Sequence, residues 1–189
     1  MEERRFNPQL LEKLNNPERL KALAPDFIWE RLNISTLQTM IDIGAGTGFY
    51  SIPFVNYYKE SKLYACDLSD IMINWMEENV CPKYDNIIPV KMEEYSIPLQ
   101  NNIADLVFMI NLHHELKSPE KMLTDCYRLL KTGGKIAIAD WKKEEMPDGP
   151  PIQIRYQTEE VKKHLLDTGF NNIEIYNELS MHYLIIAEK

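Results

Sequence analysis

Residues 41–48 read IDIGAGTG, and this octapeptide decides the fold. An aspartate stands between two isoleucines, and three glycines then alternate with alanine and threonine. Extended back to Thr39, TMIDI (39–43) has the length and apolarity of a short buried strand. Glycines directly beyond a strand serve one of two ends. They make a plain tight turn, or they form a loop whose backbone comes very close to something bound, since no Cβ intervenes.

Outward from this stretch, strand and helix patterns alternate. KLYACD (62–67), IIPVKM (87–92), IADLVFMIN (103–111) and KIAIADW (135–141) read as strands. The third of these is apolar enough to be covered on both faces. GTGFYSIPFVNYYKE reads as a helix opening on glycine, with Pro53 in its first turns or kinking it. SDIMINWMEENV is a helix with Ser69 as its N-cap. SPEKMLTDCYRLLKTGG is another, with Ser118 as cap, Pro119 in the first position and Gly133 as a left-handed stop. TEEVKKHLLDTGF, capped by Thr158 and closed by Gly169, precedes two final strands, NIEIYNE and HYLIIAEK. Repeated β-α units predict a doubly wound, mostly parallel α/β sheet with helices on both faces. Residues 1–35 are polar and helical, with helix starts at Asn7-Pro8 and Asn16-Pro17 and a break near Pro25. They are expected to form an N-terminal helical arm, either a packed cap or a mobile lid. The chain, 1–189, is expected to be a single domain, with its α/β core over 39–189.

The bulk composition fits. A chain of 189 residues suits one domain, and 44% hydrophobic with 26% charged residues is globular usage. A net charge of −8 argues against nonspecific binding to nucleic acid or anionic membranes, although a local basic patch stays open. Cys66, Cys81 and Cys126 are odd in number and widely spaced, which fits neither a disulfide framework nor a zinc knuckle. MEERRFNPQL lacks the apolar core of a signal peptide, and no apolar run approaches the ~20 residues that span a bilayer. A cytoplasmic protein with no nucleic-acid or membrane partner is the expectation; the oligomeric state is not legible.

In a doubly wound sheet, ligands bind beyond the carboxyl ends of the strands. The glycine loop lies there, and so does Asp67, 19 positions after Gly48 at the end of the second strand. A carboxylate in that place can accept hydrogen bonds from both hydroxyls of a ribose. The plain alternative, a helix cap, is a role Ser69 already covers. A dinucleotide fingerprint, GxGxxG, would need glycine at position 49, where Phe49 stands. Asp42 adds negative charge beneath the loop, which is poor for a pyrophosphate and good for a cation. S-adenosylmethionine, with a sulfonium and an ammonium, meets that requirement.

At this point the residues carry a resemblance. IDIGAGTGFYSIP, KLYACDLSDIMINWMEENV, KMEEYSIPLQNNIADLVFMINLHHE and RLLKTGGKIAIAD, in this order and spacing, resemble the motifs of class I S-adenosylmethionine-dependent methyltransferases. The small group that includes the ubiquinone/menaquinone-type enzymes is the nearest in pattern. The resemblance covers roughly residues 39–140 and extends through TGFNNIEIY and HYLIIAEK. It implies a seven-stranded Rossmann-like sheet whose last strand is antiparallel, which agrees with the two closing strands. It also implies that Gly44, Ala45 and Gly46 line the methionine part of the cofactor, with Asp42 near the ammonium. Asp67 would hold the ribose hydroxyls, with Leu68 against the adenine. Glu93 would accept from the adenine amino group and Glu94 would offer its backbone N–H. Asn111 and Leu112 would contact the methionine end. Glu94 departs from the small residue usual there, and a solvated turn is the plain alternative for Glu93–Glu94. Tyr50, just after the loop, is expected against the cofactor. S-adenosylhomocysteine would be the product.

Methyl transfer is an in-line displacement in which the protein aligns the partners, and a base is needed only for a protonated nucleophile. His113 is the candidate base, on the rim after IADLVFMIN; capping the next helix or packing under the loop are its alternatives. His-His-Glu is an incomplete metal set, so no metal is expected. Phe6, His114, Asp140, Arg155 and Tyr156 are candidates for the acceptor pocket, beneath the arm and the Pro-rich loop 141–157. Arg155 would clamp an anionic group or make a surface salt bridge. With so little chain outside the sheet, a small-molecule acceptor is expected. A non-catalytic cofactor-binding module and a nicotinamide-dependent oxidoreductase are the competing readings.

Overall fold

A computed structural model describes residues 11–189. Three short helices come first: α1 (Leu11–Leu14), α2 (Glu18–Ala22) and α3 (Pro25–Leu32), the last opening on Pro25, as its fixed φ favours. Strand and helix then alternate: β1 (Thr39–Ile43), α4 (Ser51–Tyr57), β2 (Lys62–Asp67), α5 (Asp70–Asn79), β3 (Ile87–Lys91) and β4 (Ala104–Ile110). They are followed by α6 (Pro119–Leu129), β5 (Leu130–Trp141), α7 (Thr158–Thr168), β6 (Asn171–Tyr176) and β7 (His182–Glu188). The strands form one sheet in the order β3-β2-β1-β4-β5-β7-β6. All pairings are parallel except those of β7, which runs antiparallel to both β5 and β6.

The strand order reverses between β1 and β4, so the crevice at their carboxyl ends is the ligand-binding position of this architecture. Because β7 runs the other way, its first residue, His182, is brought to the same edge, opposite Trp141. Strand alternation sends Ile41 and Ile43 into a core with Met122 and Cys126 of α6 and Val161 and Leu165 of α7. Met40, Phe108 and Leu184 face the other way, against Phe54 of α4 and Leu23, Ile28 and Leu32 of the arm. Phe54 stacks on Phe108 at 4.2 Å between ring centres. At about 1.5–3 kcal/mol for each fully buried large apolar side chain, both faces stabilise the sheet substantially.

One helix end differs from expectation. α6 stops at Leu129 and the chain passes straight into β5, with Leu130 paired to Ala104. The register then shifts, and Lys135 is the next residue in step, paired to Leu106. Gly133 is left-handed, with φ 75°, but it serves this bulge rather than the helix end. A Cβ on Gly134 would lie 2.9 Å from the Lys131 carbonyl oxygen, so the bulge itself demands glycine. The cap of α7 also moves: Gln157, not Thr158, is the capping residue, in a reciprocal pair with Glu160. No described helix is long and apolar enough to cross a membrane.

Candidate cofactor and acceptor site

β1 delivers the first functional side chain. Asp42 points toward α4, where the Ser51 hydroxyl donates to its Oδ2 at 2.6 Å. The carboxyl is 3% exposed, and burial pushes it up to about 7 against the opposing effect of the Ser51 bond. Among the described residues no cation lies within ion-pair distance of it. A carboxylate in a dry site without a counter-ion is costly to ionise, and a bound ammonium would lower that cost.

The loop beyond it is left-handed at Gly44 (φ 69°), Gly46 (φ 57°) and Gly48 (φ 74°). The N–H groups of Gly44 and Ala45 both donate to the Cys66 carbonyl, at 2.9 and 3.0 Å, which ties the loop to β2. A Cβ on Gly44 would fall 2.7 Å from Leu112, so the loops after β1 and β4 meet there with no room to spare. Asp67, at the end of β2, accepts from Gly46 N–H through Oδ2 and from Ser69 N–H through Oδ1, each at 2.8 Å. Ser69 starts α5 but its own hydroxyl makes no capping bond. Asp67 therefore takes part of the capping role that the sequence assigned to Ser69 alone. Burial raises the Asp67 pKa while the Ser69 and Gly46 N–H groups pull it down. Each oxygen keeps a second lone pair for a further donor.

Beside Asp67, Leu68 is partly buried against the α6 side of the core, and its carbonyl accepts from Lys91 at 2.7 Å. Met92 N–H donates to the Asp67 carbonyl at 3.0 Å, which brings Glu93 and Glu94 alongside. Both are exposed, and the Glu93 N–H is spent on the Ser96 carbonyl at 2.9 Å, closing a tight solvated turn.

At the end of β4, Asn111 is left-handed with φ 56°, and its N–H donates to the Ala139 carbonyl at 2.8 Å. Its Oδ1 is buried without a partner among the described residues. Such an orphan costs about 1–3 kcal/mol, and strained, unsatisfied groups gather at binding sites. A single 3-10 turn, His113–Glu115, follows. His113 does not present itself to the crevice. It is 0% exposed, its Nε2 lies 3.4 Å from His164 Nδ1, and its ring meets the edge of Tyr156 at 5.2 Å. Burial drops it to about 4.

His114, 6% exposed, is held against β5. Its Nδ1 lies 2.7 Å from Asp140 Oδ1, and its backbone N–H donates to Asp140 Oδ2 at 2.9 Å. Trp141 N–H also donates to Oδ1, at 2.7 Å. Burial works to lower the His114 pKa, but the Asp140 carboxylate outweighs it and the net shift is upward; Asp140 is held low despite burial by the same contact.

Arg155 is neither an exposed clamp nor a surface ion pair. Its guanidinium is 5% exposed and donates to the carbonyls of Lys142, Glu144, Asp148 and Pro150, stapling loop 141–157 to itself. Tyr156 donates to the Leu116 carbonyl at 3.3 Å. Phe6 lies outside the described residues. Among the described residues no cluster of three or more His, Cys, Asp or Glu side chains could hold a metal ion.

Three contacts lie beyond the sequence reading. The arm lies on the glycine loop: Thr47 Oγ1 donates to Asn15 Oδ1 at 2.8 Å, and Leu14 sits 3.6 Å from where a Cβ on Gly46 would be. Tyr50 is 5% exposed and donates to the carbonyls of Arg19 (3.1 Å) and Leu23 (3.3 Å), so it anchors the arm rather than facing a cofactor. His182, 2% exposed, packs on Trp141 with ring centres 4.2 Å apart and the planes tilted by 42°, and both its ring nitrogens are unpartnered among the described residues. Only His182 was discoverable, since an antiparallel last strand must start at the ligand edge.

Residues 41–138 match the family described as methyltransferase domain. A crystal structure of a SAM-dependent methyltransferase from Aquifex aeolicus is 33% identical, covers 97% of this chain and 98% of its own, and superposes with a TM-score of 0.90. A tRNA(Phe) (4-demethylwyosine(37)-C(7)) aminocarboxypropyltransferase of Methanocaldococcus jannaschii is 25% identical over 153 residues, 80% of this chain. The ubiquinone/menaquinone biosynthesis C-methyltransferase UbiE of Klebsiella pneumoniae is 22% identical over 188 residues, 79% of this chain. The chain spans 59% of the length of the archaeal relative and 75% of the bacterial one. With the sheet order and the glycine loop, these matches place the chain in the class I S-adenosylmethionine-dependent methyltransferases.

Proposed function

We propose that this chain transfers the methyl group of S-adenosylmethionine to a small-molecule acceptor in the cytoplasm. The observation that carries the reading is the pairing of two carboxylates around one glycine loop. Asp42 is buried with no counter-ion among the described residues and suits an ammonium, and Asp67 accepts from the loop while keeping lone pairs that suit a ribose. The orphaned Asn111 Oδ1 gives a third, independent fit, since it calls for a donor at the methionine end. Leu68 and the Glu93–Glu94 turn would bound the adenine, and Gly44, Ala45, Gly46 and Leu112 would line the rest.

The bound cofactor supplies a methyl group already activated by its sulfonium. The protein's tasks are alignment and exclusion of water. At the acceptor side, Asp140 fixes the His114 ring through Nδ1, and Nε2, 3.8 Å from Glu115 Oε1, is the atom to take a proton from a hydroxyl or amine acceptor. His113, neutral and enclosed, supports the turn that carries His114. The net charge of −8 favours a small acceptor over a nucleic acid.

A labelled-methyl screen against pooled metabolites, with Asp67→Ala as control, tests the proposal. Transfer into a metabolite fraction that the control lacks is the expected result. Label found only in tRNA or protein would sink the small-acceptor reading. Cofactor binding with no transfer to any pool would favour the non-catalytic module.

A further inference from the structure

β7 carries a buried imidazole to the acceptor half of the crevice and gives it nothing to bond. His182 is the first residue of that strand and pairs with Trp141 at the end of β5. Strand alternation puts its side chain on the face of Leu184 and Ile186, toward α4 and the arm. Asp42 is directed to that face as well, through its bond with Ser51 of α4. Five buried side-chain atoms are unpartnered among the described residues, and two of them are the ring nitrogens of His182. The Tyr183 hydroxyl, another of the five, lies on the opposite face, in the core with α6 and α7. His113 keeps one nitrogen near His164, so among the described residues His182 is the ring with both edges unbonded.

Four charged or titratable groups act on His182: Asp140, Arg19, His114 and Arg155. Each is already bonded elsewhere. Asp140 accepts from the N–H groups of His114 and Trp141 and holds the His114 ring. Arg155 is spent on backbone carbonyls, and Arg19 donates to the Leu14 carbonyl. Gly149 lies on Trp141, where a Cβ would fall 2.8 Å from the indole, so loop 141–157 closes over the ring that His182 packs on. Burial drops His182 to about 4, and the ring therefore carries no charge in neutral solution. A neutral imidazole has one N–H and one lone pair, and its tautomer decides which of them faces a given side. That suits an uncharged group that both donates and accepts, such as an amide or a hydroxyl. A carboxylate or an amidinium would bring a full charge into a dry site whose ions are already matched.

We propose that His182 is a specificity-determining residue for the methyl acceptor: one of its ring nitrogens bonds an uncharged amide or hydroxyl of the acceptor, apart from the atom that receives the methyl group. The inference rests on the reading of this crevice as a methyltransferase site. It gives two histidines different tasks. His114 handles the proton of the reacting group, and His182 selects the molecule through a second group.

The test uses benzamide, benzoate and benzamidine, which share a ring and nearly a shape but are uncharged, negative and positive. Each is titrated into the chain saturated with S-adenosylhomocysteine, with the histidine rings labelled with nitrogen-15 and the His182 resonances followed by NMR. Affinities are measured for the wild type, His182→Phe and His182→Gln. Benzamide is expected to shift the His182 nitrogens saturably and to bind about tenfold more tightly than either charged probe, the size of one buried hydrogen bond made or missed. His182→Phe is expected to bind benzamide about tenfold more weakly while its affinity for S-adenosylhomocysteine stays within twofold. His182→Gln, which keeps a donor and an acceptor, is expected to retain part of the benzamide affinity. Equal benzamide affinity in wild type and His182→Phe, a charged probe bound best, or no shift of the His182 ring with any probe would overturn the proposal. A parallel loss of S-adenosylhomocysteine in His182→Phe would assign the ring a structural role and overturn it too. Wild-type chain that takes up no S-adenosylhomocysteine would refute the methyltransferase-site reading itself, and this inference with it.

Discussion

The two halves of the crevice are built in different ways. The half at β1 and β2 is made of backbone: left-handed glycines, N–H groups gathered on the Cys66 carbonyl and on Asp67, and a single carboxylate below. The half at β4, β5 and β7 is made of side chains from distant parts of the chain, with His114 on Asp140 and His182 on Trp141. A backbone cradle can hold a fixed ligand through many sequences, provided the glycines and the two acids remain. A side-chain pocket changes with each substitution. One sheet can thus keep a common cofactor and vary its acceptor, and substitutions in the two halves should separate binding from transfer.

The sharpest test of that separation is Asp67→Ala. It removes the acceptor for Gly46 and Ser69 N–H and the proposed ribose contacts together. Two charge-assisted bonds at about 1.5–3 kcal/mol each predict a loss of cofactor affinity of roughly a hundredfold or more. Calorimetric titration measures it, and unchanged affinity would remove Asp67 from the site.

The same division explains what was legible in the sequence. Local signals encode the backbone half: β1 ends where IDI meets glycine, and Asp67 closes KLYACD, both as expected from spacing alone. Arg155 was misread because an arginine in a Pro-rich loop carries no mark of whether its donors face a ligand or its own backbone; only the fold of 141–157 decides that. His113 and His114 are adjacent, so composition could not say which ring reaches Asp140. The tight turn at 113–115 turns one ring under α7 and the other to β5. The early end of α6 escaped notice because LLKTGG carries a helical stop that the sheet register overrides, as Leu130 pairs with Ala104.

On the side-chain half, His114→Gln is expected to lower kcat by about a hundredfold, the usual size of a lost general base, and to leave cofactor affinity within twofold. A raised His114 pKa also sets the sign of the pH profile. The imidazole must be neutral to accept a proton, so kcat falls as pH drops, and the acid limb lies above the ordinary histidine value of about 6.5. Rapid-quench measurement of the transfer step gives both. A variant that loses affinity and rate together would show that the halves are not separable at this residue.

A smaller effect is expected at Asp42. With its carboxyl pushed up to about 7 in the free protein, binding an ammonium must release a proton. Cofactor affinity should therefore rise between about pH 5.5 and 7.5, by up to tenfold per pH unit below the Asp42 pKa. Asp42→Asn should bind more weakly at pH 7.5 and show a flat profile over that range. A parallel pH slope in the variant would assign the proton to another group.

The smallest effect is at His182, and it runs against the usual direction for a core substitution. Two nitrogens in a buried ring, unpartnered among the described residues, are a stability cost held in place by packing on Trp141. His182→Phe keeps an aromatic ring packed on Trp141 and removes that cost, so the variant should be more stable by about 1 kcal/mol, a rise of about 2–4 °C in Tm. Burial drops His182 to about 4, below its unfolded value, so the unfolded chain binds the extra proton between these values. The cost of keeping His182 neutral therefore grows as pH falls from about 6.5 toward 4, and His182→Phe should be less acid-sensitive across that window. If the nitrogens are kept for the acceptor, the same variant should turn over more slowly while binding the cofactor normally, a trade of stability against function. A more stable variant with full turnover on the identified acceptor would remove His182 from the side-chain half and leave His114 and Asp140 as its polar centre.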